Sequence, residues 1–231
     1  MSRDQQADSQ GAPSLGAPRH AFHRSEAASV TPTLRQLVWR VLVPVLAIDQ
    51  LIKVWIKTSF TVGERLDFVP GILELQFIEN EGMAFGWALP GVAGKLLLTG
   101  FRLVAAVAIG MYISRRIKEK APKGLLYSLT FVWAGALGNI IDSAIYGRIF
   151  GRSGWGTLAE VWPSEGGYAP WFQGNVVDMF HFIVTWPAWF PVEAWAGREV
   201  FPPIWNLADA AISVSVIWML LNQRKYFPVV A

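Results

Sequence analysis

The stretch LLYSLTFVWAGALGNIIDSAI, Leu125 to Ile145, decides the fold. It supplies the roughly 20 predominantly apolar residues that a helix needs to cross a hydrocarbon core, yet it carries Asn139 and Asp142 near one end. A carboxyl in such a segment costs about 3 kcal/mol on insertion scales, so it turns toward a bundle interior, a partner or water. Three further runs have the same character: Leu37 to Ile56, interrupted by Arg40, Asp49 and Lys53; Leu96 to Ser114, interrupted by Arg102; and Ile204 to Leu221, interrupted by Asn206 and Asp209. Together they predict an all-α membrane bundle of four transmembrane helices.

Composition agrees. Of 231 residues, 53% are hydrophobic, 16% are charged and 12 are tryptophan, a mix too apolar and too aromatic for an ordinary soluble domain. The absence of cysteine excludes disulfides, thiolate metal sites and a cysteine nucleophile. With only His20, His23 and His181, no HExxH pair exists, and no GxSxG elbow is present, so zinc-protease and serine-hydrolase readings fall away. A formal charge of +3 gives no broad electrostatic basis for binding nucleic acid.

Lysine and arginine accumulate in cytoplasmic loops. Arg115, Arg116, Lys118, Lys120 and Lys123 lie between the second and third segments, Arg224 and Lys225 follow the fourth, and Arg35 and Arg40 stand at the entry to the first. All three signals place both termini inside and the acidic ends of the third and fourth segments near the outer face. Residues 1–33 read as a disordered cytoplasmic tail without apolar periodicity, residues 34–222 as the membrane domain, and 223–231 as a second cytoplasmic tail. The first apolar run begins too far along the chain for a cleavable signal peptide.

Two outer stretches remain. Period-2 patterning through Ile72-Leu73-Glu74-Leu75-Gln76-Phe77-Ile78, ahead of the turn signal Asn80-Glu81-Gly82, predicts a small extracytoplasmic β-sheet within about residues 60–90. The expanded stretch of about 146–203 carries Trp155, Trp162, Trp171, Trp186, Trp189 and Trp195, rings suited to the headgroup level, and is read as short interfacial helices and loops.

Three copies of Asn-x-x-Asp fall at or near the outer boundary: Asn139 to Asp142, Asn175 to Asp178 and Asn206 to Asp209. Positions three apart share a helical face, so the first and last copies present an amide and a carboxyl from two different helices. Satisfied interhelical polar contacts would explain one such acid. Aspartic proteolysis explains the set: two close carboxyls share a proton, one activates water, the other polarises the scissile carbonyl, and the amides hold them. A proton relay or small carrier would string its polar groups through the membrane depth, and a scaffold would not require two acids at one site.

The motifs Asp49-Gln50-Leu51-Ile52-Lys53, Asn80-Glu81-Gly82-Met83-Ala84-Phe85-Gly86, Gly135 to Asp142, Val176-Val177-Asp178-Met179 and Asn206 to Ile212 occur in register, and the sequence resembles lipoprotein signal peptidase (signal peptidase II) from about Leu37 to Leu221. That resemblance implies a multi-pass aspartyl endopeptidase of the bacterial inner membrane. Its substrate would be a diacylglyceryl-modified prolipoprotein, cut before the lipidated cysteine, and it would work as a monomer in membrane lipid with no cofactor and no metal. It also implies Asp178 and Asp209 as the catalytic dyad, with Asn139, Asp142 and Asn206 in support and Asn80 and Gly82 in a stretch that cradles substrate. Spacing alone does not choose Asp178 over Asp142 as partner to Asp209. Asp49 and Lys53, four apart, read either as a mutually shielding ion pair or as a structural or substrate-positioning pair. The family pattern has arginine where Ser143 stands, so a cation there is missing or comes from Arg148 or Arg152. Arg102 either snorkels or pairs with an acid. His181, one turn from Asp178 were that stretch helical, reads as an acid-base partner or, more simply, as a hydrogen-bonded group.

Overall fold

The computed structural model describes residues 31–81 and 91–227. The reading of residues 1–30, Gly82 and the last four positions lies outside the described residues.

Helix α1 (Leu34–Leu37) starts at Thr33, where a reciprocal capping box with Gln36 satisfies two end donors at 3.2 and 2.9 Å. A π turn over Val38–Leu42 then leads into α2 (Val43–Ser59). Pro44 lacks the N–H that an unbroken α-helix would use at this point, and the wider turn carries the chain past it. Helix α3 (Gly91–Lys118) is followed by α4 (Lys123–Ile141), a second π turn over Asp142–Tyr146, and the short α5 (Gly147–Ile149). Helix α6 (Leu207–Leu221) and the short α7 (Gln223–Tyr226) complete the helices. Two of these runs, Gly91–Lys118 and Lys123–Ile149, are both long and apolar enough to cross a membrane. The run through α1 and α2 is broken by charge, and α6 has 15 residues.

The helical exterior is apolar. Leu97, Phe101, Val104, Val107 and Met111 on α3, Leu51 and Trp55 on α2, and Val214, Ile217 and Leu221 on α6 are all exposed, whereas Asp49, Lys53 and Asp142 are buried. This is the inverse of a water-soluble surface and suits a lipid solvent. Helix α4 packs chiefly on α6 and also on α3 and α2. Its approach to α6 is set by Gly135, and its approach to α2 by Gly138. A Cβ at Gly135 would sit 2.3 Å from the Ala208 carbonyl oxygen, and one at Gly138 would sit 2.7 Å from Asp49 Oδ2.

The sheet is antiparallel and three-stranded, in the order β1 (Arg65–Val69), β2 (Leu73–Asn80), β3 (Val176–Phe182). The first two strands are the expected hairpin. The third corrects the reading of residues 146–203, because no helix occurs over 150–206. That stretch is loop with isolated bridges Phe150 to Val161 and Thr185 to Glu199, plus a strand that completes the sheet. The residues explain it: Val176, Val177, Met179, Phe180 and Phe182 are β-branched, aromatic or apolar, and Val177, Met179 and Phe180 join Phe77, Tyr146 and Phe150 in the outer core, while Phe182 packs on Phe201 and Trp205. Between Leu75 and Ile78 the β2–β3 register shifts by a bulge, so Leu75 faces Phe180 while Ile78 faces Asp178.

The loop before β3 wraps the π turn. Backbone N–H groups of Gly174, Phe172 and Ala169 donate to the carbonyls of Ser143, Ala144 and Gly147, each at 2.9 Å. Carbonyls that a widened helix end leaves without intrahelical donors are thereby satisfied.

Candidate active site

Four elements converge: α2 brings Asp49, Gln50 and Lys53; the α4 end brings Asn139 and Asp142; β3 brings Asp178; and the start of α6 brings Asn206 and Asp209. Asn206 is the N-cap of α6, not a residue on its face. Its Oδ1 accepts from Asp209 N at 2.9 Å, and Asp209 Oδ2 reaches back toward Asn206 N at 3.4 Å. The last Asn-x-x-Asp is therefore a capping box, which fixes the carboxyl at the helix start.

The amide of Asn206 also donates to Asp178 Oδ1 at 2.6 Å and to Asn139 Oδ1 at 3.2 Å. Asn139 Nδ2 donates to Asp209 Oδ1 at 2.8 Å. Asn80, at the end of β2, donates to Asp178 Oδ2 at 3.0 Å. Asp178 and Asp209 are thus joined through two asparagines, and among the described residues the donors to their carboxyl oxygens are neutral amides. Asp178 is 3% exposed, while Asp209 is half-buried. Burial first, and the negative charge of Asp209 second, push the Asp178 carboxyl up to about 7, against the pull of the Asn80 and Asn206 amides.

The other two acids are held differently. Lys53 Nζ lies 3.0 Å from Asp49 Oδ2, 2.8 Å from Asp142 Oδ2 and 3.0 Å from Asn139 Oδ1. Gln50 Nε2 donates to Asp142 Oδ1 at 2.9 Å, and its own Oδ-equivalent, Oε1, accepts from Tyr146 OH at 3.0 Å. Backbone N–H groups complete the shell, Val177 to Asp142 Oδ2 at 3.3 Å and Ala208 to Asp49 Oδ1 at 3.0 Å. Asp49 and Lys53 are indeed an ion pair, and the pair also reaches Asp142 and the start of α6.

Of the residues singled out from sequence, Asn139, Asp142, Asn206, Asp49, Lys53, Asn80, Asp178 and Asp209 belong to one connected network. Asn175 does not touch Asp178. It accepts from Lys95 Nζ at 2.6 Å and donates to Glu79 Oε2 at 2.9 Å, and Glu79 is paired with Lys57, so this asparagine ties the entry to β3 onto β2 and α3. His181 is not an acid-base partner of Asp178, because in a strand residues three apart point to opposite faces. Its ring nitrogens lie 2.8 Å from Glu74 Oε1 and 3.2 Å from Glu199 Oε2. Arg148 and Arg152 are exposed. The cation beside Ser143 is Arg102 of α3, whose NH1 donates to Ser143 Oγ at 3.2 Å and whose charge acts on Asp209, Asp178 and Asp142. Sequence reasoning gave no role to Gln50 or Tyr146; the only signal was the position of Gln50 beside Asp49.

A family model described as signal peptidase (SPase) II matches residues 41–224. The lipoprotein signal peptidase of Porphyromonas gingivalis (strain ATCC 33277) is 39% identical over 193 residues, covering 80% of this chain and 82% of that protein. That of Amoebophilus asiaticus (strain 5a2) is 33% identical over 185 residues, covering 77% and 73%. A bacterial membrane enzyme solved by the in meso method shares the fold, with a TM-score of 0.55 and 21% identity over 84% of this chain and 96% of its own. A second such structure gives 0.57 and 19% over 87% and 94%.

Proposed function

The chain belongs to the signal peptidase II family, and we propose that Asp178 and Asp209 are the dyad with which this membrane aspartic endopeptidase removes signal peptides from prolipoproteins. The observation that carries the assignment is the distribution of charge among four acids. Asp49 and Asp142 share the Lys53 ammonium and are spent as its counter-ions. Among the described residues, Asp178 and Asp209 accept from asparagine side-chain amides and a backbone N–H and from no cation, and are left to exchange a proton.

The chemistry follows from their surroundings. Asp178, buried and raised to about 7, is the member of the pair that can still carry the shared proton close to neutral pH. Asp209, more open and with Oδ2 held, among the described residues, by a 3.4 Å contact, is the carboxylate that takes a proton from water. Water oxygen adds to the scissile carbonyl carbon while Asp178 gives its proton to the carbonyl oxygen. Collapse of the gem-diol intermediate breaks the C–N bond as one of its hydroxyls returns a proton to Asp178, and the proton held by Asp209 passes to the leaving amine, which restores the dyad. Two carboxyls and one water suffice for these steps.

The substrate is a diacylglyceryl-modified prolipoprotein cut before its lipidated cysteine, reaching the dyad from the bilayer, and the enzyme acts as a monomer. Four helical passes, formed by α1 with α2, α3, α4 with α5, and α6, leave both termini in the cytoplasm and the dyad near the outer face. The basic run from Arg115 to Lys123, with Arg224 and Lys225, supports that orientation. Asn80, at the end of β2, stands on the side that meets the substrate. The test is cleavage of a lipidated prolipoprotein by purified enzyme. Asp178→Asn and Asp209→Asn each reduce turnover by at least about a thousandfold, with membrane insertion and thermal unfolding near those of the wild type. Cleavage retained by either variant defeats the assignment.

A further inference from the structure

At the end of the bundle opposite the sheet, α1, α3 and α4 leave a groove of about 540 Å³. Leu34, Val107, Met111 and Trp133 make its apolar walls, and Arg115 and Lys118 stand at its rim. The α3 contributors follow helical spacing along one stripe: Val107 and Met111, then Arg115, are each one turn apart. The stripe therefore changes from apolar to cationic over roughly 12 Å, at 1.5 Å per residue. Gly110 keeps the floor narrow, since a Cβ there would come 2.9 Å from the Trp133 ring. Ser114 also lines the groove, but its hydroxyl is turned back onto the Gly110 carbonyl at 2.9 Å and offers the apolar wall no unsatisfied donor.

We propose that this groove holds one anionic glycerophospholipid, with an acyl chain between α3 and α4 and the phosphate at Arg115 and Lys118. Charge and depth select this occupant. From Arg115 to Lys123 the chain has five cations and a single carboxylate, Glu119. Glu119 is occupied by Arg115 at 2.8 Å and Arg116 at 2.5 Å. Lys118 has no ion-pair partner among the described residues and is exposed, and the Arg115 side chain is 77% exposed, so both are able to face a phosphate. The last turn of a helix that crosses a core of about 30 Å lies at headgroup level, where basic pockets between helices recognise anionic lipid. A soluble anion would leave the apolar half unfilled, and a zwitterionic lipid would leave the rim cations uncompensated.

The test is native mass spectrometry of the full chain released from micelles containing equal amounts of phosphatidylglycerol and phosphatidylcholine. One phosphatidylglycerol is retained in preference to phosphatidylcholine, and R115Q/K118Q reduces that preference by on the order of tenfold or more, from about 1 kcal/mol per basic residue. K120Q/K123Q, which changes the same net charge away from the groove, leaves the preference within about twofold. Met111→Trp, which fills the groove, lowers retention of both lipids. Equal retention of the two lipids by wild type, an unchanged preference in R115Q/K118Q, or an equal loss in K120Q/K123Q overturns the proposal. The lipid readout is independent of peptide cleavage, so failure here leaves the dyad untouched.

Discussion

Lys53→Met removes the cation that neutralises two buried acids while keeping most of the side-chain volume. Lys53 and Asp142 are fully buried and Asp49 is 1% exposed. The ammonium makes three contacts of 2.8 to 3.0 Å, to Asp142, Asp49 and Asn139. Without it, two carboxyls share a space that excludes water, with Gln50 and two backbone N–H groups as their remaining donors. Removing one partner from a buried pair costs about 3 to 5 kcal/mol. At roughly 2 to 4 °C per kcal/mol for a chain of this size, the midpoint should fall by about 6 to 20 °C. Thermal unfolding of purified protein in detergent reads this directly. Because the cost comes from the uncompensated carboxyl, adding Asp142→Asn to Lys53→Met should recover a substantial part of the loss, whereas two independent lesions would add. A Lys53→Met midpoint within about 3 °C of wild type, or a double variant worse than the single by the full cost of Asp142→Asn, refutes the reasoning.

The proposed dyad's proton gives a pH signature: the Asp178 carboxyl, raised to about 7, keeps its proton below that value and loses it above, so kcat/KM should fall on the alkaline side of about pH 7. Asn80→Ala deletes a bond to the ionised form and should move that limb to higher pH, as measured by initial rates of prolipoprotein cleavage. Arg102→Gln removes a cation whose field favours ionised Asp178, so its alkaline limb should also move up, with rescue toward wild type in Arg102→Lys. Gly135→Ala drives a Cβ against the Ala208 carbonyl oxygen and should cost about 1 to 3 kcal/mol in thermal unfolding, while Gly100→Ala, with open space around it, should be neutral.

Segments of about 20 apolar residues announced the long helices, and the polar interruptions announced which faces meet, because a charge in lipid has to find a partner. Period-2 alternation announced β2. What was illegible depends on contacts distant in sequence. The third strand pairs Asn80 with Val176 and Leu73 with Phe182, and nothing local in a tryptophan-rich connection says that such a partner exists. Asn206 and Asp209 read equally as two residues on a helical face or as cap and third residue, and only the extended backbone at Asn206 decides for the cap. Arg102 and Ser143 lie 41 positions apart, so the substitution of a hydroxyl for the expected cation looked like a loss until the neighbouring helix was in view.

Asn139 explains why two groups of acids of opposite use sit side by side. Its Oδ1 faces Lys53 Nζ and Asn206 Nδ2, both of which can only donate. That leaves one orientation of the amide, with Nδ2 turned to Asp209 Oδ1. The ammonium that satisfies Asp49 and Asp142 thereby also fixes which oxygen of Asp209 takes the 2.8 Å amide bond and which keeps only the 3.4 Å contact to Asn206 N among the described residues. A neutral residue at position 53 would release this constraint even if the bundle still assembled, since a rotated Asn139 would present its oxygen to a carboxylate. The Lys53 ion cluster is thus more than a device for hiding charge from lipid: under the proposed mechanism it sets, through a single amide, the side of Asp209 on which water would be activated.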